Sequence, residues 1–328
     1  MKKILFSLIA FIIICTMLFL FGEFSIRAFY PRFSNYNMEM WRYAAEIKQP
    51  LDNKRLPFHH YPNKEGVYYN AKIKTNSMGF RDFEYTLKKP EDKKRIVFIG
   101  DSFTLGWGVE FEDIYSKKLE KSLNENQNSY EVINMGVGNY NSIMETELFK
   151  SKGLSLNPDL VILMYFINDA EPTPHNVTPL EYKTRRNSYF MAFLLDRFIK
   201  FKTALDQSYD WKKYYGDLYI HNPDNLASNK KSLEELITLC NANNIKLLIV
   251  NIPELHNLKN YPFRFATQYI SQISEEGKVP FLDLLPYLAD QEPESLWVSL
   301  EDPHANAKAN SIISNTIYEK IRNEGLLN

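Results

Sequence analysis

The chain has 328 residues, enough to bury one large hydrophobic core or two smaller ones. Its 39 lysine and arginine residues are balanced by 40 aspartate and glutamate residues, which leaves no basic excess to attract nucleic acid. Cys15 and Cys240 lie in separate segments, and the six histidines form no HxxxH or HxH pair, so the sequence predicts neither a disulfide nor a metal site.

The N-terminal segment is apolar enough to enter a membrane. Lys2 and Lys3 precede an uncharged run from Ile4 to Phe21, which is long enough to cross the hydrocarbon core as a helix. No small-residue cleavage site follows, so we interpret residues 1–22 as an uncleaved signal anchor, with a cleaved signal peptide as the alternative. A very short tail before the first span usually stays in the cytoplasm. We therefore expect the body outside it, in the bacterial periplasm or at the cell surface.

Residues 23–90 are predicted to form a stalk and a cover. Prolines interrupt any long helix or strand in this stretch; they are Pro31, Pro50, Pro57 and Pro62. His59 and His60 lie between two of these prolines, and we expect both imidazoles to be exposed to solvent. Thr75–Asp82 has the composition of a turn.

The remainder, residues 91–328, alternates short apolar runs with amphipathic segments. Five strands are predicted, at Ile96–Ile99, Glu131–Met135, Asp159–Tyr165, Ile245–Ile252 and Val279–Asp283. Five helices are predicted, at Tyr115–Leu123, Met144–Lys152, Ser232–Asn241, Phe265–Ser274 and Asn306–Arg322. Strands that are apolar throughout and alternate with helices indicate an α/β fold with a parallel sheet covered on both faces. Functional sites in such sheets lie at the carboxyl ends of the strands.

Residues 172–229 form a segment that is too long for a simple crossover between two strands. It contains a helix candidate at Phe190–Leu205, followed by the aromatic and basic stretch Trp211–Tyr215. We interpret the segment as an insertion over the site. Its role stays open between a substrate lid, a partner surface, a membrane-resting helix and a local cover for the core.

Polar side chains follow the first three predicted strands and precede the last helix. The four motifs are Gly100-Asp-Ser-Phe103, Asn134-Met-Gly-Val-Gly-Asn-Tyr-Asn-Ser142, Tyr165-Phe-Ile-Asn-Asp169 and Asp302-Pro-His304. A serine hydroxyl is a poor nucleophile until a histidine takes its proton and an acid holds that histidine in place. Ser102, His304 and Asp302 supply these groups. The glycines that surround the serine lack the spacing of a nucleotide-binding loop.

Together these motifs resemble the SGNH (GDSL-type) hydrolase superfamily, whose members are esterases, lipases, deacetylases and acyltransferases. The resemblance spans about residues 72–323, and Thr75–Asp82 resembles the lead-in of bacterial membrane-anchored members. It implies a flavodoxin-like three-layer α/β/α sandwich with a five-stranded, mainly parallel sheet, preceded here by one N-terminal transmembrane helix. It implies no metal and no organic cofactor.

Carried over by position, the resemblance makes Ser102 the nucleophile, His304 the general base and Asp302 the acid that orients the histidine. The oxyanion is expected among the backbone N–H of Ser102, a backbone N–H of the second motif and the side-chain amide of Asn168. Asp169 is expected to brace the loop that carries Asn168.

The second and third motifs depart from the family pattern. The family's second-motif glycine falls at Asn139, with Gly138 just before it. Because asparagine tolerates left-handed backbone angles, we assign the donor to Asn139 and keep Gly138 as the alternative. Phe166 and Ile167 replace the usual glycines before the Asn-Asp pair, and their larger side chains would narrow the site on the side of the third motif.

The acid is separated from the histidine by one residue, where the family usually has two. Glu301 stands at the usual spacing. We assign the acid to Asp302, because many bacterial members carry the shorter form, and keep Glu301 as the alternative.

The expected function is that of a serine esterase acting on an O-acyl ester, in a lipid or an acylated glycan, through an acyl-serine intermediate. An O-acyltransferase that moves acetyl groups onto a cell-envelope polysaccharide would use the same residues. A non-catalytic, membrane-tethered glycan-binding module is the third alternative. The expected partners are the acyl ester or acylated glycan substrate and, through the N-terminal helix, the membrane.

Overall fold

The structure is a computed structural model of the chain, and it describes residues 2–33, 35–174, 187–205 and 210–327. Its α-helices are α1 (Lys2–Ala28), α2 (Tyr30–Phe33), α3 (Tyr36–Glu46), α4 (Ser102–Leu105), α5 (Tyr115–Leu123), α6 (Ser142–Leu148), α7 (Tyr189–Leu205), α8 (Trp211–Ile220), α9 (Pro223–Ala242), α10 (Arg264–Glu276), α11 (Leu285–Leu288) and α12 (Ala307–Asn323). Its strands are β1 (Lys48–Pro50), β2 (Phe58–His60), β3 (Glu65–Tyr68), β4 (Ala71–Lys74), β5 (Lys94–Gly100), β6 (Tyr130–Asn134), β7 (Leu160–Tyr165), β8 (Lys246–Asn251), β9 (Phe281–Asp283), β10 (Trp297–Ser299) and β11 (Asp302–Ala305). Short helical turns of other types lie at Phe111–Asp113, Phe149–Gly153, Leu154–Leu156, Ile167–Ala170 and Pro293–Leu296.

The chain divides into two compact units. One comprises residues 1–46 and 177–209, and the other comprises residues 47–176 and 210–328. The predicted insertion is divided between the two units, and its residues 175–186 and 206–209 lie outside the described part of the chain.

In the first unit, α1 is long and apolar enough to cross a membrane. It has 27 residues and a mean hydropathy of 3.0 over its most apolar window, none of which is buried. A membrane anchor and a signal sequence share these properties. The structure therefore supports an N-terminal apolar helix that is one of the two, and the anchor itself stays a prediction. The helix α7 begins where the carboxylate of Glu23 accepts hydrogen bonds from the backbone N–H groups of Tyr189 (3.2 Å) and Phe190 (2.9 Å). An anion stabilises a helix at this end because of the helix dipole.

The second unit is built on a five-stranded sheet in the order β6-β5-β7-β8-β9. Every neighbouring pair of these strands is parallel. In the order in which the chain forms the sheet, this is the 2-1-3-4-5 arrangement of flavodoxin-like folds. The predicted α/β fold is confirmed, and the sheet is parallel throughout rather than mainly parallel. The strand order reverses between β5 and β7, and ligands of such sheets bind beside the carboxyl ends at this point.

Helices cover the sheet, which explains why its central strands are apolar throughout. Every side chain of β7 is buried, α5 packs against α12, and α6 packs against α9. The predicted helix Ser232–Asn241 is too short, because α9 begins at Pro223. Asn222 accepts a hydrogen bond there from the backbone N–H of Asn225 (3.2 Å). An asparagine cap followed by proline in the first turn is a typical helix start, and our interpretation of this stretch as insertion overlooked it.

Two antiparallel hairpins, β1–β2 and β3–β4, form within the segment predicted as a cover. The expectation that His59 and His60 are exposed is wrong, since they retain 2% and 1% of their accessible surface. Both lie on β2, whose pairing with β1 satisfies the backbone and allows the segment to be buried. The ring of His60 contacts the carbonyl oxygen of Gly79 (3.0 Å). Burial lowers the pKa of both rings, to about 3 for His59, so both are neutral at pH 7.

Candidate active site

Ser102 stands at the sharp turn between β5 and α4. The strand ends at Gly100, and Asp101 caps α4 by accepting a hydrogen bond from the backbone N–H of Phe103 (2.9 Å). A Cβ atom at Gly100 would lie 2.0 Å from Oγ1 of Thr104, so this turn has no room for a larger residue. The serine is thereby held at the carboxyl end of β5, where the sequence places it.

His304 connects Ser102 with a buried carboxylate. Its Nε2 lies 2.8 Å from Oγ of Ser102, and its Nδ1 lies 2.5 Å from Oδ1 of Asp302. Because a carboxylate only accepts hydrogen bonds, Nδ1 carries the proton of the neutral ring and Nε2 accepts from the serine hydroxyl. The fold thus joins a serine and a histidine that are 202 residues apart in the sequence.

Asp302 and His304 lie on β11, which pairs with β10 in an antiparallel hairpin that we did not predict. Side chains two residues apart in a strand point to the same side, and the backbone N–H of His304 also donates to Oδ1 of Asp302 (3.1 Å). Glu301 is exposed, and its backbone N–H donates to Oγ of Ser299 (3.2 Å). Of the two candidate acids, Asp302 is the one in contact with the histidine ring.

Two residues that sequence reasoning missed hold the acid and the loop after the serine. Nε1 of the buried Trp107 donates to Oδ2 of Asp302 (2.9 Å). Gly106 and Gly108 flank this tryptophan with left-handed φ angles of 77° and 74°, which favour glycine. The buried guanidinium of Arg81 donates to the carbonyl oxygen of Gly106 (2.6 Å). The two glycines mark a turn in the sequence, but no local pattern indicates which acid the tryptophan contacts.

Two of the three predicted oxyanion donors lie in the segments that follow β6 and β7. The loop after β6 is tied to β5, because the backbone N–H of Val137 donates to the carbonyl oxygen of Gly100 (3.2 Å). Asn139 adopts a left-handed φ of 64° on this loop. Nδ2 of Asn168 donates to Oδ2 of Asp101 (3.0 Å), which fixes the plane of that amide. An amide nitrogen has two hydrogens, so one N–H remains for another acceptor.

Residues 98–312 match the model of the GDSL-like Lipase/Acylhydrolase family. The chain belongs to this family. The match covers more than half of the 328 residues and all of the motifs except the lead-in. The predicted superfamily, and with it the prediction of an enzyme that hydrolyses esters, is confirmed at the level of the family.

The solved structures that match this chain are distant in sequence. The structure of TesA is 13% identical and covers 71% of this chain and 100% of its own, with a TM-score of 0.47. The psychrotrophic esterase EstA from Pseudoalteromonas sp. is 15% identical and covers 71% and 98%, with a TM-score of 0.47. The acetyl xylan esterase AlAXEase is 18% identical and covers 69% and 99%, with a TM-score of 0.44. A comparison with curated proteins gives no match.

In this GDSL-like chain, aromatic rings line one side of the histidine. The ring centre of Phe103 lies 5.1 Å from that of His304 and 4.6 Å from that of Phe166. Phe166 is the residue that replaces one of the family's usual glycines. Aromatic pairs at such distances attract each other, so the two phenylalanines form a continuous apolar wall beside the imidazole.

Three carboxyl groups of the second unit are buried, on Asp101, Glu145 and Asp169. Burial raises the pKa of all three carboxyl groups. Repulsion from Asp101 raises the pKa of Glu145 further, and repulsion from Glu145 and Asp101 raises that of Asp169. Oδ2 of Asp169 accepts a hydrogen bond from the backbone N–H of Phe166 (3.3 Å) and so closes the turn around Asn168. Within the described ranges, no group of three or more His, Cys, Asp or Glu residues is arranged to hold a metal ion.

Proposed function

We propose that the protein is a serine esterase that cleaves an O-acyl ester of a lipid or an acylated glycan through an acyl-Ser102 intermediate. The observation that carries this proposal is the continuous path of contacts from Oγ of Ser102 through the ring of His304 to Asp302, at 2.8 and 2.5 Å. A hydroxyl needs such a path in order to lose its proton while it attacks a carbonyl carbon. Asp302 is proposed as the acid in preference to Glu301, since it contacts the ring.

In the acylation step, Oγ of Ser102 attacks the ester carbonyl carbon and its proton passes to Nε2 of His304. The carboxylate of Asp302 stabilises the imidazolium that forms. The tetrahedral adduct then breaks its C–O bond to the alcohol, and the departing oxygen takes the proton from Nε2. The alcohol leaves, and the acyl group remains on Ser102.

In the second step, a water molecule attacks the acyl carbon and gives a proton to Nε2 of His304. The bond between the acyl carbon and Oγ of Ser102 breaks, and Oγ recovers the proton from the ring. A carboxylic acid is released, and the resting enzyme is restored. Neither step requires a group from outside the chain other than the ester and water.

The negative oxygen of both tetrahedral adducts is assigned to three donors. These are the backbone N–H of Ser102, the backbone N–H of Asn139 and the side-chain amide of Asn168. The left-handed φ of Asn139 supports its choice over Gly138, because this geometry favours glycine and Asn139 falls at the position of the family's glycine. Removal of one donor of this kind typically costs about 2.7–4 kcal/mol of transition-state stabilisation.

Acyl transfer to a cell-envelope polysaccharide is the second candidate function, and α1 is the observation that favours it. An uncleaved apolar helix would hold the catalytic unit at a membrane surface, outside the cytoplasm, where glycan acceptors of the envelope are concentrated. The acceptor hydroxyl would replace water in the second step, with the same proton transfers through His304.

The test is a fluorophosphonate reaction followed by mass spectrometry of the labelled peptide. We expect the label on Ser102, loss of the label in Ser102→Ala, and loss of short-chain aryl ester hydrolysis in the same variant without loss of fold. Full turnover by Ser102→Ala would overturn the nucleophile assignment. A folded wild type that neither reacts nor hydrolyses would favour the non-catalytic glycan-binding module. Incubation with an acyl donor and envelope glycans separates the two reactions, since acylated glycan formed in competition with hydrolysis indicates a transferase.

A further inference from the structure

Lys48 is a buried lysine beside the loop that carries Asn139. It is the first residue of β1, and only 6% of its surface is accessible. Its Nζ lies 4.2 Å from the centre of the Phe58 ring on the paired strand β2. A lysine is almost never this buried unless its amino group has polar partners, so the partners of this group indicate its purpose.

Nζ of Lys48 donates two hydrogen bonds to the loop after β6. One reaches the carbonyl oxygen of Gly138 (2.5 Å), and the other reaches Oδ1 of Asn139 (2.9 Å). The two acceptors differ in what they control. The first belongs to the backbone, and the second belongs to the side chain of the residue proposed as an oxyanion donor.

The carbonyl of Gly138 and the N–H of Asn139 belong to the same peptide group. That group is planar and trans, so the direction of the carbonyl fixes the opposite direction of the N–H. Anchoring the oxygen at Lys48 therefore aims the N–H away from the lysine. A hydrogen bond to the carbonyl oxygen also polarises the peptide group, which makes its N–H a better donor to a negative oxygen.

The second hydrogen bond, from Nζ of Lys48 to Oδ1 of Asn139, holds the residue that replaces the family's glycine. Asn139 occupies a left-handed conformation (φ 64°) in which glycine has no steric penalty and asparagine has a small one. Its side chain is held by Lys48, which offsets that penalty by fixing the rotamer that accompanies the turn. Where the family has a glycine, this chain thus has a turn that Lys48 holds by two hydrogen bonds, one to the Gly138 carbonyl and one to the Asn139 side chain.

We propose that Lys48 is a positioning residue of the oxyanion hole, which orients and polarises the peptide group between Gly138 and Asn139. The proposal rests on the proposed function, because it assigns this peptide N–H to the oxyanion. Lys48 does not touch the substrate in this account, and its effect reaches the reaction through Asn139. The effect is therefore expected on the transition state rather than on substrate binding.

The experiment compares Lys48→Met, which keeps the length of the side chain and removes its donor, with wild type. We expect kcat for a short-chain aryl ester to fall at least about 10-fold, below the 10²–10³-fold typical of losing a whole oxyanion donor, with KM nearly unchanged. The inhibition constant of a boronic acid, whose tetrahedral adduct places an oxygen in the oxyanion hole, should rise by a similar factor. A purely structural role would not make these two losses match.

Lys152→Met is the matched control. Nζ of Lys152 also donates to a backbone carbonyl, that of Met78 (2.8 Å), on a different loop. It should retain wild-type kcat and the wild-type inhibition constant. Unchanged kcat in folded Lys48→Met, or equal losses in both lysine variants, would overturn the proposal.

Lys48→Gln serves as the second variant if the methionine variant does not fold. Its polar amide can occupy the same site, but it ends one bond short of the position of Nζ and so lengthens or breaks the hydrogen bond to the Gly138 carbonyl. A lower kcat with a matching rise of the boronate constant would support the proposal, and wild-type kcat would overturn it. Failure of the proposed function gives a different result. In that case either Ser102→Ala retains turnover, or the wild type neither reacts with fluorophosphonate nor hydrolyses the ester.

Discussion

Replacement of Asp302 by asparagine tests the proposed role of Asp302 as the acid of the triad. It also tests the role of Trp107, which donates a hydrogen bond to that acid. In the wild type, Oδ2 of Asp302 accepts from Nε1 of Trp107 (2.9 Å). Oδ1 accepts from Nδ1 (2.5 Å) and from the backbone N–H (3.1 Å) of His304. A carboxylate accepts on both oxygens, whereas an amide has one accepting oxygen and one donating NH2 group. Asp302→Asn therefore leaves one buried donor facing another in either orientation of the amide.

The two orientations have different consequences for the reaction. If the NH2 group faces His304, the ring must hold its proton on Nε2 and cannot take the proton of Ser102. In a serine protease triad the corresponding change lowers kcat by about 10⁴-fold. If the NH2 group faces Trp107, the productive ring tautomer survives, but an unsatisfied buried donor costs about 1–3 kcal/mol. Trp107→Phe removes that conflict, so in the double variant the productive orientation should gain about 5–150-fold in population.

The assay is kcat/KM for a short-chain aryl ester in wild type, both single variants, the double variant and Glu301→Gln. We expect Asp302→Asn to lose about 10²–10⁴-fold and Trp107→Phe/Asp302→Asn to be more active than Asp302→Asn alone. Glu301→Gln should stay near wild type, because that side chain is exposed. A double variant whose loss equals or exceeds the product of the single losses would refute the role given to Trp107. A loss in Glu301→Gln as large as that in Asp302→Asn would move the acid to Glu301.

Three further predictions concern the turn, the buried lysine and the N-terminal helix. Gly100→Ala should destabilise the fold by about 1–3 kcal/mol and lower activity, since its Cβ would lie 2.0 Å from Oγ1 of Thr104. Gly216→Ala, with open space around it in the interior of α8, should not destabilise the fold in chemical denaturation and should leave the ester assay unchanged. Burial lowers the pKa of Lys48 from 10.5 to about 7. Between these pH values the unfolded state binds a proton that the folded state lacks. The free energy of unfolding should therefore rise by about 1.4 kcal/mol per pH unit in wild type but not in Lys48→Met, and parallel curves would contradict this. If α1 is an anchor, mass spectrometry of the membrane-extracted protein should find α1 intact, and a mature N-terminus beyond it would identify a cleaved signal.

The sheet could be predicted because each of its strands carries its own signal. A strand buried on both faces is apolar throughout, as β7 is, and this pattern survives without knowledge of the neighbours. The position of Ser102 could be predicted in the same way, because it follows the end of the apolar strand β5 directly in the sequence. The hairpin of β10 and β11 has no such signal, because its strands are three and four residues long and only partly buried.

The supporting residues of the site could not be predicted for a different reason. Trp107 contacts an acid 195 residues away, and Lys48 contacts a carbonyl 90 residues away. Neither contact produces a recognisable motif in the sequence, and a single lysine or tryptophan does not by itself indicate a functional residue. His59 and His60 were misplaced because neighbouring prolines suggested an exposed loop, whereas the prolines lie around a short paired strand.

The shortened spacing of acid and histidine follows from strand geometry. In β11, Asp302 and His304 are two residues apart and point to the same side, so a single intervening residue suffices to bring both to one partner. That residue is Pro303, which has no N–H to donate to a ladder. The register joins Trp297 to Ala305 and Ser299 to Asp302, with an irregularity between them that leaves the proline outside the paired positions. The departure from the usual family spacing is thus compatible with the contact between Asp302 and His304, because side chains two residues apart on a strand lie on the same side.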